Sequence, residues 1–271
     1  MTTEPASEGK SPGWALILGA SSGFGGATAV ELARNGFDIF GVHLDLRSTL
    51  PAAEAVIDAI RQQGRQAVYF NINAADAAKR AEAVATMALK AAETGSCVRV
   101  LLHSLAFGTL LPVIAENPKE ALSQRQMEMT LDVMANSLIY WAQELAGRGL
   151  LRRGSRIFAM TSSGSTRVIR SYGAVSAAKA ALEAHIRQLA FELAPLGVTA
   201  NAIRAGVTDT PALRRIPEGP ALLERVSLAN PSGRATRPED VARAIAALSD
   251  ERLYWMTGNV IGVDGGEEIT V

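Results

Sequence analysis

The strongest indication of the fold is the stretch Trp14-Ala-Leu-Ile-Leu-Gly19-Ala-Ser-Ser-Gly23-Phe-Gly25. Its first five residues are all apolar, which is typical of a strand buried on both faces of a parallel sheet. After the glycines, residues 27–33 place apolar side chains at helical spacing, and Asn35-Gly36 is a signal that ends a helix. The stretch therefore predicts a strand, a glycine-rich turn and a helix, in that order.

The same alternation continues along the rest of the chain. Strands alternating with helices imply βαβ units, and hence an α/β fold with a parallel sheet that is covered on both sides. Residues 204–236 contain four prolines and are predicted to be irregular. Further strands are predicted at 37–43, 66–72, 98–103, 156–160, 198–203 and 259–263, and further helices at 52–63, 76–93, 124–147, 173–194 and 239–249.

Composition narrows the class of protein. The 271 residues are 48% hydrophobic and carry 27 basic and 27 acidic side chains, so bulk charge does not favour a nucleic-acid-binding surface. Cys97 is the single cysteine, and no apolar run approaches the roughly 18 residues of a membrane span. Residues 1–12 are polar and are predicted to be a disordered leader, followed by one domain at 13–271. We expect a cytoplasmic protein without a membrane partner.

The glycine-rich turn predicts a phosphate-binding loop. Its glycines allow the backbone to approach a pyrophosphate, and the N-terminus of the following helix offers free N–H groups and a favourable dipole. A tight turn without a ligand is the alternative. Its position at the first strand–helix junction favours a dinucleotide, with the candidate contacts Gly19, Ser21, Ser22, Gly23, Phe24 and Gly25.

This turn, together with Asn201-Ala-Ile and Val263-Asp-Gly-Gly266, resembles the short-chain dehydrogenase/reductase family. The resemblance extends from Trp14 to about Gly266. It implies a single Rossmann-type, doubly wound sheet of about seven parallel strands that binds a nicotinamide dinucleotide. It also implies a substrate-covering loop at about 207–236.

Tyr172 and Lys179 are seven residues apart, whereas most members of the family place tyrosine and lysine four residues apart. Seven residues are nearly two helical turns, so both side chains share a face. A lysine ammonium near a phenol favours phenolate character and can anchor the cofactor ribose. A packed tyrosine and a surface lysine on an amphipathic helix are the alternative.

The wider spacing resembles the enoyl-[acyl-carrier-protein] reductase branch of the family. Leu102-His-Ser-Leu-Ala-Phe107, residues 162–172 and Ala205-Gly-Val-Thr-Asp-Thr210 are closest to the NADPH-dependent type III enzymes. The resemblance implies hydride transfer to the β-carbon of a trans-2-enoyl thioester. Tyr172 would then donate a proton or stabilise the enolate, and Lys179 would bind the ribose.

Other site residues follow from the same resemblance. Thr161 occupies the position of the family's catalytic serine, whereas Met134 replaces the helix asparagine, which disfavours the usual ketoreductase proton relay. The three histidines have no metal-ligand spacing, so no metal site is expected. The further expected cofactor contacts are Asn73, Ser104, Leu105, Ala106, Gly206, Val207, Thr208 and Thr210, and the expected substrate contacts are Phe107, Ser162, Leu213 and Ile216.

The end of the second strand bears on the choice of nicotinamide. A basic side chain there accepts the 2′-phosphate of NADPH, and an acidic one binds the ribose 2′-hydroxyl of NADH. His43 and Arg47 could bind the phosphate, whereas Asp45 would repel it. The sequence favours NADPH over NADH by a narrow margin.

The partners expected from the resemblance are an acyl thioester on acyl carrier protein or coenzyme A, and further copies of the chain. Arg214, Arg215 and Arg225 could meet an acidic carrier, with scattered surface charge as the alternative. A homotetramer is implied through helices at 131–145 and 178–191. Two other functions remain open: a carbonyl reductase, and a dinucleotide-binding protein without catalysis.

Overall fold

A computed structural model describes residues 12–216 and 219–270, so residues 1–11 of the predicted leader lie outside the described residues. Seven parallel strands form one sheet in the order β3-β2-β1-β4-β5-β6-β7. The predicted Rossmann-type, doubly wound fold is therefore confirmed. The strands are β1 (Trp14–Leu18), β2 (Asp38–His43), β3 (Ala67–Asn71), β4 (Val98–His103), β5 (Arg156–Thr161), β6 (Thr199–Ala205) and β7 (Val260–Val263).

Eight α-helices connect and cover the strands within the described residues. They are α1 (Gly23–Arg34), α2 (Leu50–Gln62), α3 (Ala77–Glu93), α4 (Gln124–Leu131), α5 (Ser137–Gly147), α6 (Gly173–Glu192), α7 (Gly219–Ala229) and α8 (Pro238–Leu248). In this part of the chain, no helix combines the length and apolar character needed to cross a membrane.

Strand β1 shows why the sheet has two cores. All five of its residues are buried. Trp14, Leu16 and Leu18 belong to one apolar cluster with residues of α3, α5 and α6. Ala15 and Ile17 belong to the other cluster, with residues of α1, α2 and α8. Because neighbouring side chains of a strand point to opposite faces, a continuous apolar run is needed to fill both layers.

The strand order reverses beside β1, which pairs with β2 on one side and with β4 on the other. In open parallel sheets, ligands bind in the crevice at this reversal, outside the carboxyl ends of the strands. The Ser104 N–H donates to the carbonyl of Leu18 over 2.8 Å, and the Gly19 N–H donates to the carbonyl of Val42 over 2.8 Å. The segments that follow β1 and β4 therefore meet at the crevice.

The structure differs from the predicted elements in two places. The helix predicted at 124–147 is interrupted by a π-helical turn at Asp132–Asn136. The hydroxyl of Ser137, the first residue of α5, donates to the carbonyl of Val133 inside this turn over 2.8 Å. Such turns are frequent at functional sites. The segment predicted as irregular contains α7, because Pro220 lies in the first turn of this helix, where proline is tolerated.

Candidate active site

The glycine-rich turn is a cradle that side chains would fill. A Cβ atom at Gly19 would clash with the carbonyl oxygen of Ser104, and one at Gly25 would clash with the carbonyl oxygen of Gly19. Gly19 and Gly23 also have positive φ angles of 92° and 54°, in the region that favours glycine. Both the close approach and the backbone conformation therefore require glycine here.

Helix α1 begins directly after this cradle. Ser22, its N-cap residue, is exposed, and its side chain makes no capping hydrogen bond. The N–H groups of the first turn are thus not satisfied by the N-cap side chain, and the helix dipole favours an anion at this end. The cradle and the helix end together fit the pyrophosphate of a dinucleotide.

The end of β2 is organised around Asp45. Its carboxylate lies 2.9 Å from Nδ1 of His43, which is buried. Burial works to raise the pKa of Asp45, but hydrogen bonds with Thr49, Ser21 and His43 outweigh it and lower the pKa. Asp45 is therefore ionised beside Ser21 of the glycine-rich turn. Arg47, the other residue expected to bind a phosphate, is exposed.

Two asparagines near β3 have different roles. Asn71 holds Asp45 through its amide: the Asp45 N–H donates to Oδ1 over 2.9 Å, and Nδ2 donates to the Asp45 carbonyl over 3.0 Å. The Asn73 side chain accepts from the Ala75 N–H over 3.0 Å and so caps its own loop. Asn71 was missed by the sequence analysis, because only the folded sheet brings β3 beside residue 45.

Tyr172 is the N-cap residue of α6 and lies at the carboxyl end of β5. Burial raises the pKa of its phenol, and a hydrogen bond with Ser162 opposes this rise. Gly164 packs under the ring, since a Cβ there would lie 2.6 Å from Cε1 of Tyr172. Ser171 has a φ of 57°, so the backbone enters the left-handed region directly before the tyrosine. The loop after β5 thus supports the ring from below.

Lys179 lies nearly two turns further along α6. Its side chain is only 6% exposed, and Nζ donates to the carbonyl of Met160 over 2.6 Å. Burial lowers the pKa of Lys179 to about 8, while the charge of Glu183 works to raise it. Since Met160 and Ser162 are close neighbours at the end of β5, Tyr172 and Lys179 are brought to the same edge of the sheet.

Thr161 is engaged with α6. Its hydroxyl donates to the Glu183 carboxylate over 2.6 Å, and its side chain is almost fully buried. Glu183 is four residues after Lys179, on the same face of the helix. Glu183 is not among the residues predicted from the sequence, although its i, i+4 spacing from Lys179 is a signal that points to it.

His103, at the end of β4, is fully buried and lies within the electrostatic influence of Lys179. Burial, and next the charge of Lys179, lower the pKa of His103 to about 3. Its Nε2 lies 2.9 Å from the Ser137 hydroxyl, which already donates its hydrogen to Val133. Nε2 must therefore carry the proton in this network. A neutral histidine in this position supports the π-helical turn, which the sequence pattern did not reveal.

The segments after β4 and β6 close the site around the cradle. Thr208 and Thr210 are buried, and Thr208 donates its hydroxyl hydrogen to the Gly206 carbonyl over 2.9 Å. A Cβ at Gly23 would lie 3.7 Å from Thr210, which also accepts from the Leu213 N–H over 3.2 Å. The segment at 206–210 thus adjoins both the cradle and the start of the predicted substrate-covering loop. Val207 belongs to this segment too, and Leu105 and Ala106 directly follow Ser104.

The expected substrate contacts lie at the rim of this region. Phe107 is exposed, with 50% of its surface accessible, whereas Leu213 and Ile216 are less accessible and only partly buried. Val113 was not anticipated: a Cβ at Gly173, directly after the tyrosine, would lie 2.7 Å from its Cγ2. The long loop after β4 therefore packs against the start of α6.

Three arginines of the predicted substrate-covering loop are exposed: Arg214, Arg215 and Arg225. Arg214 forms two hydrogen bonds of 2.8 Å with the Asp209 carboxylate. Within residues 12–216 and 219–270, no group of three or more His, Cys, Asp or Glu side chains could hold a metal ion.

Known proteins match nearly the whole chain. A family model described as "Enoyl-(Acyl carrier protein) reductase" matches residues 19–268. The 3-oxoacyl-[acyl-carrier-protein] reductase FabG of Aggregatibacter actinomycetemcomitans is 31% identical over 253 residues, which cover 93% of this chain and 97% of that protein. The enoyl-[acyl-carrier-protein] reductase [NADH] FabI of Escherichia coli is 32% identical over 149 residues, which cover 55% of this chain and 56% of that protein.

A solved structure extends these matches. A short-chain dehydrogenase from Burkholderia cenocepacia in complex with NADP has a TM-score of 0.78 and 27% identity, and the match covers 94% of this chain and 97% of that one. The family model spans residues 19–268, which include the cradle and the Tyr172 loop, and the FabG relative covers 93% of the chain. The protein therefore belongs to the short-chain dehydrogenase/reductase superfamily, as an NAD(P)-dependent oxidoreductase.

Proposed function

We propose that the protein is an enoyl-thioester reductase, acting on a trans-2-enoyl group carried by acyl carrier protein or coenzyme A. One observation carries the proposal: Tyr172 and Lys179, seven residues apart, both contact the carboxyl end of β5. The description of the matching family model and the partial match to FabI support the same reaction.

The spacing suits conjugate reduction for a chemical reason. When bound, the reduced nicotinamide supplies the hydride. Negative charge then develops on the thioester oxygen, which is bonded to the carbon two positions beyond the β-carbon. The hydrogen-bond donor that stabilises this charge must therefore lie further from the nicotinamide than in ketone reduction. Tyr172 fits this task, because burial raises its pKa and keeps the phenol protonated as a donor.

Ser162 positions the tyrosine and Lys179 positions the cofactor in this proposal. Ser162 hydrogen-bonds the phenol, and the Lys179 ammonium supplies positive charge and a donor to the ribose. Around them, the apolar side chains of Phe107, Leu213 and Ile216 suit an acyl chain that enters from the rim.

A carbonyl reductase is the second candidate, because the FabG relative matches almost the full length of the chain. Two features weigh against it. The Thr161 hydroxyl, at the position of the family's catalytic serine, donates to Glu183. Met134, at the position of the family's helix asparagine, is buried and apolar, so it offers no proton relay.

For the cofactor we propose NADH rather than NADPH. The narrow preference for NADPH rested on His43 and Arg47. His43 is buried against the Asp45 carboxylate, and Arg47 is exposed. A 2′-phosphate beside Asp45 and Ser21 would meet an ionised carboxylate, whereas the 2′-hydroxyl of NADH could donate to it.

We also propose a homotetramer. Phe191, at the end of α6, is 78% exposed, and it lines an apolar groove of about 640 Å³ with Ala190 and Pro195. Contiguous exposed apolar patches mark interfaces, and residues 178–191 form one of the helices through which the resemblance to the family implies a homotetramer. A molar mass of four chains in light scattering supports the assignment, and a monomer that persists at micromolar concentration contradicts it.

The function is tested by following nicotinamide oxidation with crotonyl-coenzyme A and, separately, with acetoacetyl-coenzyme A. Each acceptor is offered with NADH and with NADPH, and Tyr172→Phe is assayed beside the wild type. We expect oxidation with the enoyl acceptor, at a rate lowered roughly 100-fold or more in the variant. Turnover of the keto acceptor alone identifies a carbonyl reductase, and cofactor binding without any turnover identifies a non-catalytic protein.

A further inference from the structure

The last turn of the chain, residues 264–270, contacts two segments of the candidate active site. The Glu267 carboxylate accepts from the Val207 N–H, with distances of 2.9 and 3.2 Å to its two oxygens. The neighbouring Glu268 accepts from Arg167 through its carbonyl oxygen over 3.1 Å and pairs with it through its carboxylate over 3.3 Å. Val207 lies in the 206–210 segment, and Arg167 lies in the loop that leads to Tyr172.

The same turn also holds the end of α7. Nδ2 of Asn230 donates to the Asp264 carbonyl over 2.8 Å, and the Ser232 hydroxyl donates to the Gly265 carbonyl over 3.0 Å. Three segments that lie far apart in the sequence are therefore joined to seven consecutive residues.

Glu267 is the buried member of this turn, with 9% of its side chain exposed. Gly206 allows its close approach: a Cβ there would lie 2.7 Å from Oε2 of Glu267 and would clash with the Thr236 hydroxyl. A buried carboxylate is stable only when hydrogen-bonded, and a main-chain N–H is the donor that Glu267 uses. The Glu267 side chain and the segment at 206–210 therefore restrict each other's position.

The surroundings of Glu267 act on its pKa in both directions, and the pKa is raised on balance. Burial raises the pKa of Glu267, as do the nearby carboxylates of Asp264 and Glu268, while the Val207 N–H and the charge of Arg167 lower it. The hydrogen bond to Val207 is thus one of two influences that hold the carboxylate in its charged form.

We propose that Glu267 is a positioning residue for the nicotinamide dinucleotide. Through the Val207 N–H, its carboxylate holds the segment at 206–210 in the conformation that binds the cofactor. Glu267 itself touches neither cofactor nor substrate. This inference rests on the proposed cofactor role of that segment, but it is independent of which acceptor the enzyme reduces.

Two variants separate the reach of the side chain from its charge. Glu267→Gln keeps the length of the side chain and an oxygen that can accept from Val207. Glu267→Asp keeps the charge, but its side chain is one methylene shorter. Glu268→Gln is the matched control, since this neighbouring acid bonds Arg167 instead of Val207. Dissociation constants for NADH and NADPH are measured by nicotinamide fluorescence, at a temperature where each variant is folded.

We expect Glu267→Asp to weaken binding of the preferred nucleotide roughly tenfold or more, because a charged hydrogen bond is lost. Glu267→Gln should stay within about fivefold of the wild type, since a neutral acceptor keeps part of the bond. Glu268→Gln should leave nucleotide affinity unchanged. In turnover with the preferred acceptor, KM for the nucleotide should rise in Glu267→Asp while kcat stays near that of the wild type.

The proposal is overturned if Glu267→Asp binds the nucleotide as tightly as the wild type. It is equally overturned if Glu268→Gln weakens binding as much as Glu267→Asp does, because the loss would then not depend on the contact with Val207. A wild-type protein that binds nucleotide but reduces no enoyl thioester contradicts the proposed function alone. The binding experiment still decides the role of Glu267 in that case.

Discussion

The hydroxyl of Thr161 donates a hydrogen bond to the carboxylate of Glu183 over 2.6 Å. This bond joins the last residue of β5 to the middle of α6, while Lys179 joins the same two elements through the carbonyl of Met160. Two hydrogen bonds at neighbouring positions therefore fix the helix that begins directly after Tyr172 against the sheet. Such support restricts the positions of Tyr172 and Lys179 relative to each other.

Glu183 should set the alkaline limit of activity through Lys179. Burial lowers the pKa of Lys179 to about 8, and Glu183 raises it, so activity that needs the ammonium falls as pH rises through about 8. In Glu183→Gln the pKa should fall further, and the decline in kcat should begin about one pH unit lower. The pH profile of kcat measures this shift.

The control for that prediction is Glu192→Gln, an exposed acid at the end of the same helix. It should leave the profile unchanged. His103 does not interfere, because burial lowers its pKa to about 3 and it stays neutral throughout the alkaline range. An alkaline limb that is the same in Glu183→Gln and wild type would show that Glu183 does not influence the titrating group.

Asp45 should decide the choice of nicotinamide. The wild type is expected to bind NADH more tightly than NADPH, because a 2′-phosphate would face the ionised carboxylate. Asp45→Ser should strengthen NADPH binding by about tenfold. Asp58→Asn, which alters an exposed acid on α2, is the control and should change neither affinity. Tighter binding of NADPH than of NADH by the wild type would contradict this prediction.

Gly25 should be indispensable to the nucleotide cradle. Alanine at this position would clash with the Gly19 carbonyl, so the backbone of the turn must shift. We expect Gly25→Ala to lower the free energy of unfolding by about 1–3 kcal/mol. The same shift of the backbone should lower nucleotide affinity roughly tenfold or more. Chemical denaturation and fluorescence titration give the two quantities.

Gly147→Ala is the matched control for this change. Gly147 ends α5, and a Cβ there would have no atom within 4 Å. This variant should bind nucleotide like the wild type, and its stability should be equal or higher by up to about 1 kcal/mol. If Gly25→Ala behaved like Gly147→Ala, the cradle would not depend on close backbone approach.

The fold class and the position of the glycine-rich turn follow from the sequence alone. The apolar run at Trp14–Leu18 has to fill both faces of a sheet, and the glycines that follow it require a turn without side chains. Helical periodicity likewise located most of the helices, and Tyr172 and Lys179 were recognisable from their spacing. These signals are local, because each depends on residues within a few turns or strand steps.

The side chains that meet at the candidate site are brought together by folding and lie far apart in the sequence. Asn71 and Asp45 are 26 residues apart, Thr161 and Glu183 are 22 apart, and Val207 and Glu267 are 60 apart. Hydrogen bonds are short and directional, so such pairs arise only when the sheet and helices bring distant backbone positions within about 3 Å. Hydrophobic patterning places an element in a layer, but the geometry between layers decides its polar contacts.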